Sequence, residues 1–170
     1  MSLPESAADR KSDPLPVVEA GISEVGKPGP SSASVDAAMT AIAAIDLTAV
    51  KRKVVEEKSW SPKIADYAEL RYRRFLCLHR LNRELALVPP PDIDAFWHQH
   101  ILFTREYTRD CEKAFGEYLH HSPSAGTTDD ADNLRQGFVE TAKFYAAAFG
   151  ENYLAVEPEG VPASWVELFN

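Results

Sequence analysis

The sequence predicts an all-α protein, a compact bundle of about five helices over residues 34–170 that follows a disordered tail over residues 1–33. Apolar residues recur at helical spacing in several successive segments, which is typical of amphipathic helices. Stretches rich in Pro, Gly, Ser and Asp separate these segments, and no stretch strongly indicates a strand. The first 33 residues are rich in Pro, Ser, Gly and acidic residues and show no periodicity, a composition that favours disorder.

Three helix starts are predicted from side chains that can accept hydrogen bonds from the free N–H groups of a first turn. Ser34 is the predicted N-cap of a short helix over VDAAMTAIAAI, and Asp46 or Thr48 that of a second over LTAVKRKVVEEK. Ser61 followed by Pro62 predicts a long third helix that ends near residue 82, because proline is favoured at the first helical position.

A run of prolines separates the third helix from the fourth. Successive prolines lack N–H donors and clash with a preceding helical turn, so residues 84–91 are expected to form an extended connection. Asp92 or Asp94 then starts a fourth helix, which is predicted to run without interruption to Phe115. Gly116 is its expected stop.

The last predicted helix covers ADNLRQGFVETAKFYAAAF. Asp130 or Asp132 is its expected cap, and Gly150 its expected stop. The remaining residues contain two prolines and a final apolar patch, and we expect them to form an irregular segment with one short helix.

The charge of the chain is unevenly distributed. The net charge of −8 argues against nucleic acid as the primary partner. Residues 51–83 nevertheless contain ten Lys and Arg residues and four acidic ones. This basic stretch is read either as a solvated helix face or as a docking surface for a partner protein, with RNA as a weaker alternative.

Composition also bears on the cellular compartment. No apolar run approaches the 18 or so residues of a membrane span, so no membrane association is expected. The N-terminus shows no apolar core of a secretory signal. Cys77 and Cys111 are too few for a disulfide framework, so we expect free thiols in the cytoplasm.

The stretch PDIDAFWHQH, residues 91–100, contains two aspartates and two histidines, which are residue types that bind metals or transfer protons. On a helix, His100 lies in the middle of the apolar stripe and His98 points away from it. Residues at this spacing do not face each other, so the two histidines cannot share one ion on a regular helix. Asp94 and His98 are four residues apart and share a face, so they could bind a metal together, or Asp94 could orient the imidazole.

Two protein ligands are too few for a stable zinc site, so further donors must come from elsewhere. The candidates are His120 and His121, which follow the Gly116 stop and can turn back towards the fourth helix, together with His79, Asp92 and Cys111. His100, on the apolar stripe, is more often a core residue than a ligand. The predicted ligands are, in order of preference, His98, Asp94 and His120, then His100 and His121. Tyr107 and Cys111 are candidates for a reactive group, although a buried thiol is the plainer interpretation of Cys111.

Residues 88–121, VPPPDIDAFWHQHILFTREYTRDCEKAFGEYLHH, resemble the signature region of the glycine-rich domain-containing protein-like family. The matching positions are Pro91, Asp92, Asp94, Trp97, His98, His100, Tyr107, Asp110, Cys111, Phe115, Gly116 and His120. The resemblance implies that this compact set of residues matters most in the fold. Plant members are named for a glycine-rich tail, and RNA binding has been suggested for them. This chain has 8 Gly and no such tail, so nothing specific to that tail carries over.

The sequence leaves two main hypotheses about function, from different classes, and a third, weaker one. In the first, the chain binds a transition metal, Fe, Zn, Cu or Mn, and acts as a small metalloenzyme. In the second, it is a non-catalytic scaffold in which the His, Asp, Trp and Cys residues form a structural core. The third is RNA binding through residues 51–83, against which the net charge and the lack of an aromatic stacking platform count.

Overall fold

The computed structural model describes residues 29–122 and 128–154, and within them the chain forms six α-helices and no strand. The helices are α1 Ser32–Ala43, α2 Thr48–Lys58, α3 Pro62–Leu81, α4 Pro91–Leu102, α5 Thr104–Phe115 and α6 Thr128–Phe149. The predicted all-α fold is confirmed. Residues 1–28 of the predicted tail, and the short helix expected near the C-terminus, lie outside the described residues. The division into a tail and one helical domain stays a prediction.

The first three helices begin close to where the sequence predicts them. The hydroxyl of Ser61 accepts a hydrogen bond from the first turn of α3, and Pro62 occupies the first helical position. In α1 the cap is Ser31 rather than Ser34, because the Ser34 N–H bonds to the Ser31 hydroxyl at 3.2 Å. The helix therefore begins at Ser32, inside the predicted tail.

Two glycines end helices at the predicted positions. Gly116 closes α5 with a φ of 75°, and Gly150 follows α6 with a φ of 69°. Both angles lie in the left-handed region that glycine adopts without steric cost. The start of α6 differs from the prediction, because the helix begins at Thr128, ahead of both Asp130 and Asp132.

The prediction of one uninterrupted helix over residues 92–115 is wrong. The helix breaks at Phe103, whose φ of −82° and ψ of 61° are not helical, so α4 and α5 are separate helices. On a straight helix Trp97 and Tyr107 would lie about 15 Å apart. The break folds α5 back on α4, and the Trp97 indole N–H donates to the Tyr107 hydroxyl at 2.8 Å. Burial of both rings and this hydrogen bond outweigh the helical preference of the local sequence.

Helix α3 packs against α1, α2, α4 and α6, and an ion pair fixes α4 to it. The Arg71 Nε donates to an Asp92 carboxylate oxygen at 2.5 Å, and a second guanidinium nitrogen donates to the other oxygen at 3.2 Å. Both side chains are about 95% buried. A buried, bidentate pair of this kind has a demanding geometry, so it determines where the first turn of α4 lies.

The proline-rich connection before α4 contains no helix over residues 82–90, whereas Pro91, the last residue of the predicted connection, already belongs to α4. It is held against α6 and the residues that follow it. The Val88 N–H donates to the Thr141 hydroxyl at 2.9 Å, and the Tyr153 hydroxyl donates to the Val88 carbonyl at 3.1 Å. The backbone that leads into α4 is therefore anchored through both the N–H and the carbonyl of Val88.

Most Lys and Arg side chains of the basic stretch make contacts inside the molecule. Their partners are carboxylates for Lys51, Lys53, Arg71, Arg73, Arg74 and Arg83, and a backbone carbonyl for Arg80. Arg52, Lys58 and Lys63 make no ion pair or hydrogen bond within residues 29–122 and 128–154. Much of the positive charge of residues 51–83 therefore holds the helices together.

Two observations bear on the expected compartment. Across the described part of the chain, no single helix has both the length and the apolar content to cross a membrane, whereas α1 and α2 together meet the requirement with an 80° bend between them. Cys77 and Cys111 are both free and buried. The cytoplasmic location stays a prediction.

Candidate metal centre

Three side chains of the metal-binding type converge beside the first turns of α4. Asp94 and His98 lie on α4, and His121 lies in the segment after α5. One Asp94 oxygen accepts the His121 Nε2–H at 2.8 Å, and the other lies 3.3 Å from His98 Nδ1. One donor atom of each residue lies within 4.8 Å of the other two. Within residues 29–122 and 128–154, no other group of three His, Cys, Asp or Glu donors is so close together.

The local sequence explains how α4 presents two of these donors. Pro90 is the extended residue before the helix, and Pro91 occupies its first position. The Asp94 N–H makes the first intrahelical hydrogen bond, to the Pro90 carbonyl at 2.9 Å. Negative charge is favoured at this end of a helix by the helix dipole. His98 follows one turn later, so its imidazole stands beside the Asp94 carboxylate, as the four-residue spacing predicts.

The cluster has a buried side and an open side. The side chains of His98, Asp94 and His121 are 53%, 34% and 13% exposed, respectively. His121 is the inner member because its ring packs against the Trp97 indole, with ring centroids 4.4 Å apart. Its other neighbour is the His98 ring, at 4.6 Å. Solvent therefore reaches the cluster from the His98 side, and Trp97 forms its inner wall.

The spacing of the donors suits a single ion. Two donor atoms about 2.1 Å from one ion at a tetrahedral angle lie about 3.4 Å apart. One Asp94 oxygen lies 3.3 Å from the His98 nitrogen, close to that value, and the other lies 2.8 Å from the His121 nitrogen, a hydrogen-bond distance that would have to lengthen around an ion. An ion would take the place of the hydrogen bond between His121 and Asp94, so His121 would bind it through Nε2 with the imidazole proton on Nδ1. Two imidazoles and one carboxylate suit Fe(II), Zn, Cu or Mn better than Mg or Ca.

His100, a predicted ligand, lies apart from this cluster in a second arrangement that is fully buried. Its Nε2 lies 3.4 Å from an Asp110 oxygen, and its Nδ1 lies 2.9 Å from the Tyr72 hydroxyl. A carboxylate only accepts, so Nε2 carries the proton and Nδ1 accepts from Tyr72. Burial lowers the pKa of His100, and the Asp110 carboxylate partly opposes this. Both ring nitrogens are thus occupied, which leaves no lone pair for an ion.

His120, another predicted ligand, is exposed and lies against the ring of Tyr118, with centroids 4.8 Å apart. Its neighbour His121 is the one that faces Asp94. Of the five predicted ligands, the structure brings together Asp94, His98 and His121. Adjacent residues of an irregular segment point in different directions, and the sequence carries no signal that says which of the two turns inward.

The two candidates for a reactive group lie behind Trp97. Tyr107 and Cys111 are both buried on α5. Burial raises the pKa of the Cys111 thiol, and the Leu119 N–H and the Tyr107 hydroxyl partly oppose that rise. Burial likewise raises the pKa of Tyr107. Both groups are therefore protonated near neutral pH, whereas a nucleophilic cysteine requires a thiolate in an accessible position.

One further histidine borders the inner wall. The ring of His79 on α3 lies edge-on to Phe75 at 4.8 Å and 5.8 Å from the Trp97 ring. Its Nε2 is buried and has no hydrogen-bond partner among the described residues. Burial lowers the pKa of His79 to about 4. This imidazole is neutral near pH 7 and packs as an aromatic ring.

The chain is similar to one protein-family model and to two plant proteins. A family model described as UCP032817-like matches residues 46–162. Glycine-rich domain-containing proteins 1 and 2 of Arabidopsis thaliana are each 34% identical to the chain over 90 residues. The match covers 51% of this chain and 11% of either plant protein. No solved structure matches. The resemblance inferred from the sequence is confirmed.

Proposed function

The chain belongs to the UCP032817-like family, and we propose that this member holds one transition-metal ion between Asp94, His98 and His121. The observation that carries the proposal is the convergence of the three donors. Two of them are fixed by a helix and the third comes from a separate segment 27 residues beyond Asp94. The partly exposed position allows an ion to enter, whereas the buried His100 arrangement has no opening and no free lone pair.

Three protein ligands leave at least one coordination position for water or a small substrate, the arrangement found in catalytic rather than structural zinc sites. When bound, the ion would supply Lewis-acid or redox chemistry at that position. The chain contributes the carboxylate of Asp94, which offsets the charge of the ion. Trp97 shields the inner side of the site, so a substrate would approach past His98. A small metalloenzyme is the activity class that we propose.

The test is elemental analysis of tag-free protein after dialysis against Fe(II), Zn, Cu or Mn. We expect the wild-type chain to retain one ion and His98→Ala to lose it. The circular dichroism spectrum and the melting temperature of the metal-free variant should stay close to those of the wild type, because His98 is half exposed. A wild-type chain that retains none of the four metals would refute the proposal.

A non-catalytic scaffold is the second candidate, and one contact favours it. The 2.8 Å hydrogen bond between Asp94 and His121 would by itself attach the segment after α5 to α4. In that case Asp94→Asn would lower the melting temperature equally with and without added metal. On the metal proposal, added metal raises the wild-type melting temperature, because an ion that binds only the folded chain stabilises it. Asp94→Asn would abolish that rise.

We propose a protein partner on the basic stretch, at Arg52, Lys58 and Lys63, whose charges have no partner among the described residues. Nucleic acid is disfavoured, since the net charge is −8 and the other seven Lys and Arg side chains of residues 51–83 contact the chain itself. A pull-down with the triple Ala variant beside the wild type tests this, and equal capture by both would refute it.

A further inference from the structure

We infer that Tyr107 is a positioning residue for the metal site, because it ties the segment that carries His121 to the helix that carries Asp94 and His98. The inference rests on the proposed metal binding and adds a residue that touches none of the three ligands' donor atoms. It assigns a role to the break between α4 and α5, which brings Tyr107 to this place.

Besides its contact with the Cys111 thiol, the Tyr107 hydroxyl makes one hydrogen bond as an acceptor and one as a donor. It accepts the indole N–H of Trp97 at 2.8 Å and donates its own proton to the Leu119 carbonyl at 2.6 Å. Tyr107 is 1% exposed, so neither bond competes with water. Because a hydroxyl has a single proton and a carbonyl has none, the Tyr107 hydroxyl must accept from the Trp97 N–H and donate to the Leu119 carbonyl. The donor and acceptor roles cannot be exchanged.

These two partners belong to the two parts of the site. Trp97 precedes His98 on α4, and its ring packs against His121 at 4.4 Å. Leu119 lies two residues before His121, in a segment without helix. One hydroxyl therefore fixes the backbone of that segment and the wall against which the His121 ring rests. Groups that hydrogen-bond directly to metal ligands typically change metal affinity 10- to 100-fold when removed. Tyr107 acts on the ligands through Trp97 and Leu119, so we expect an effect at the lower end of that range, about 10-fold.

The start of the same segment is held independently. The Arg83 guanidinium bonds to the Phe115 carbonyl and pairs with Glu117 at 2.9 Å. Loss of the Tyr107 hydroxyl should therefore loosen the part next to His121 without releasing the whole segment. Metal affinity should fall while the helices persist.

The experiment is a Co²⁺ titration, followed by the visible absorption of the bound ion, on wild type, Tyr107→Phe and Tyr72→Phe. Tyr72→Phe is the matched control, because it also removes one buried hydroxyl, the one bonded to His100. Both variants should lower the melting temperature. We expect Tyr107→Phe to weaken Co²⁺ binding by about 10-fold and to change the absorption spectrum. Tyr72→Phe should leave both within experimental error of wild type.

Two results would overturn the inference in distinguishable ways. Equal Co²⁺ affinities for both variants, with the wild type binding tightly, would refute the role of Tyr107 alone. A wild-type chain that binds neither Co²⁺ nor any of Fe(II), Zn, Cu and Mn would refute the proposed metal site and the positioning role with it. If Tyr107→Phe fails to fold, Trp97→Phe removes the indole donor and keeps an aromatic ring, and the same loss of affinity is expected.

Discussion

Helix α4 carries an aspartate and a histidine on each of two faces, and the two faces differ in almost every physical respect. On the buried face, Asp92 pairs with Arg71, and His100 bonds to Tyr72 and Asp110. On the open face, Asp94 and His98 meet His121 at the edge of solvent. The residue types are the same and lie two positions apart. Only their environment makes Asp92 and His100 structural residues, and Asp94 and His98 candidate metal ligands.

The two faces differ in whether the hydrogen-bond partners of their side chains can be replaced by water or by an ion. Each buried group has a dedicated partner in a medium of low dielectric constant, where an unmatched charge or donor is costly. The open-face groups are bonded too, but through a carboxylate and imidazoles that water can reach and an ion can replace. A metal site needs donors whose present partners can be displaced, and only the open face provides them.

The two aspartates give the largest expected contrast. Asp92→Ala leaves the Arg71 guanidinium buried without its carboxylate, and we expect a loss of about 3–5 kcal/mol in the free energy of unfolding. Asp94→Ala removes a partly exposed group, and the loss in metal-free protein should stay below about 1 kcal/mol. Urea denaturation of both variants measures this. Equal losses would remove the distinction between the faces.

His100 and His98 should show the same contrast in the free energy of unfolding, with smaller losses. His100→Ala opens a cavity and leaves the Tyr72 hydroxyl without its acceptor, at a cost of about 2–4 kcal/mol. His98→Ala in metal-free protein should change stability by no more than about 0.5 kcal/mol. The same urea series compares them. A His98→Ala variant as unstable as His100→Ala would make the open face structural.

Low pH should destabilise the folded chain through its buried histidines, and His79 is the clearest case. Its pKa is lowered to about 4 in the folded chain from an ordinary value near 6.5, so the unfolded chain binds the extra proton first. This contribution to stability is complete above pH 6.5 and is lost as the pH falls towards 4. His79→Phe should reduce the slope of stability against pH in that window by at most about 1.4 kcal/mol per pH unit. An unchanged slope, measured by urea denaturation at several pH values, would contradict it.

The sequence predicts the elements better than their arrangement. Caps such as Ser61 and stops such as Gly116 are local signals, and the Asp94–His98 pair follows from helical spacing. The break at Phe103 has no Gly or Pro to announce it, because contacts between residues ten apart stabilise it. The identity of the third ligand depends on that break. It sets the direction in which the chain returns after α5, and hence which of two adjacent histidines faces Asp94.

That pair of adjacent histidines offers the most direct measurement. His120→Ala and His121→Ala differ by one position, and His120 is exposed beside Tyr118 while His121 contacts Asp94. Tag-free variants are dialysed against Zn²⁺ and their bound zinc is determined by elemental analysis. The metal proposal predicts one retained ion for wild type and His120→Ala, and none for His121→Ala. Equal retention by the two variants, or loss in His120→Ala alone, would contradict it.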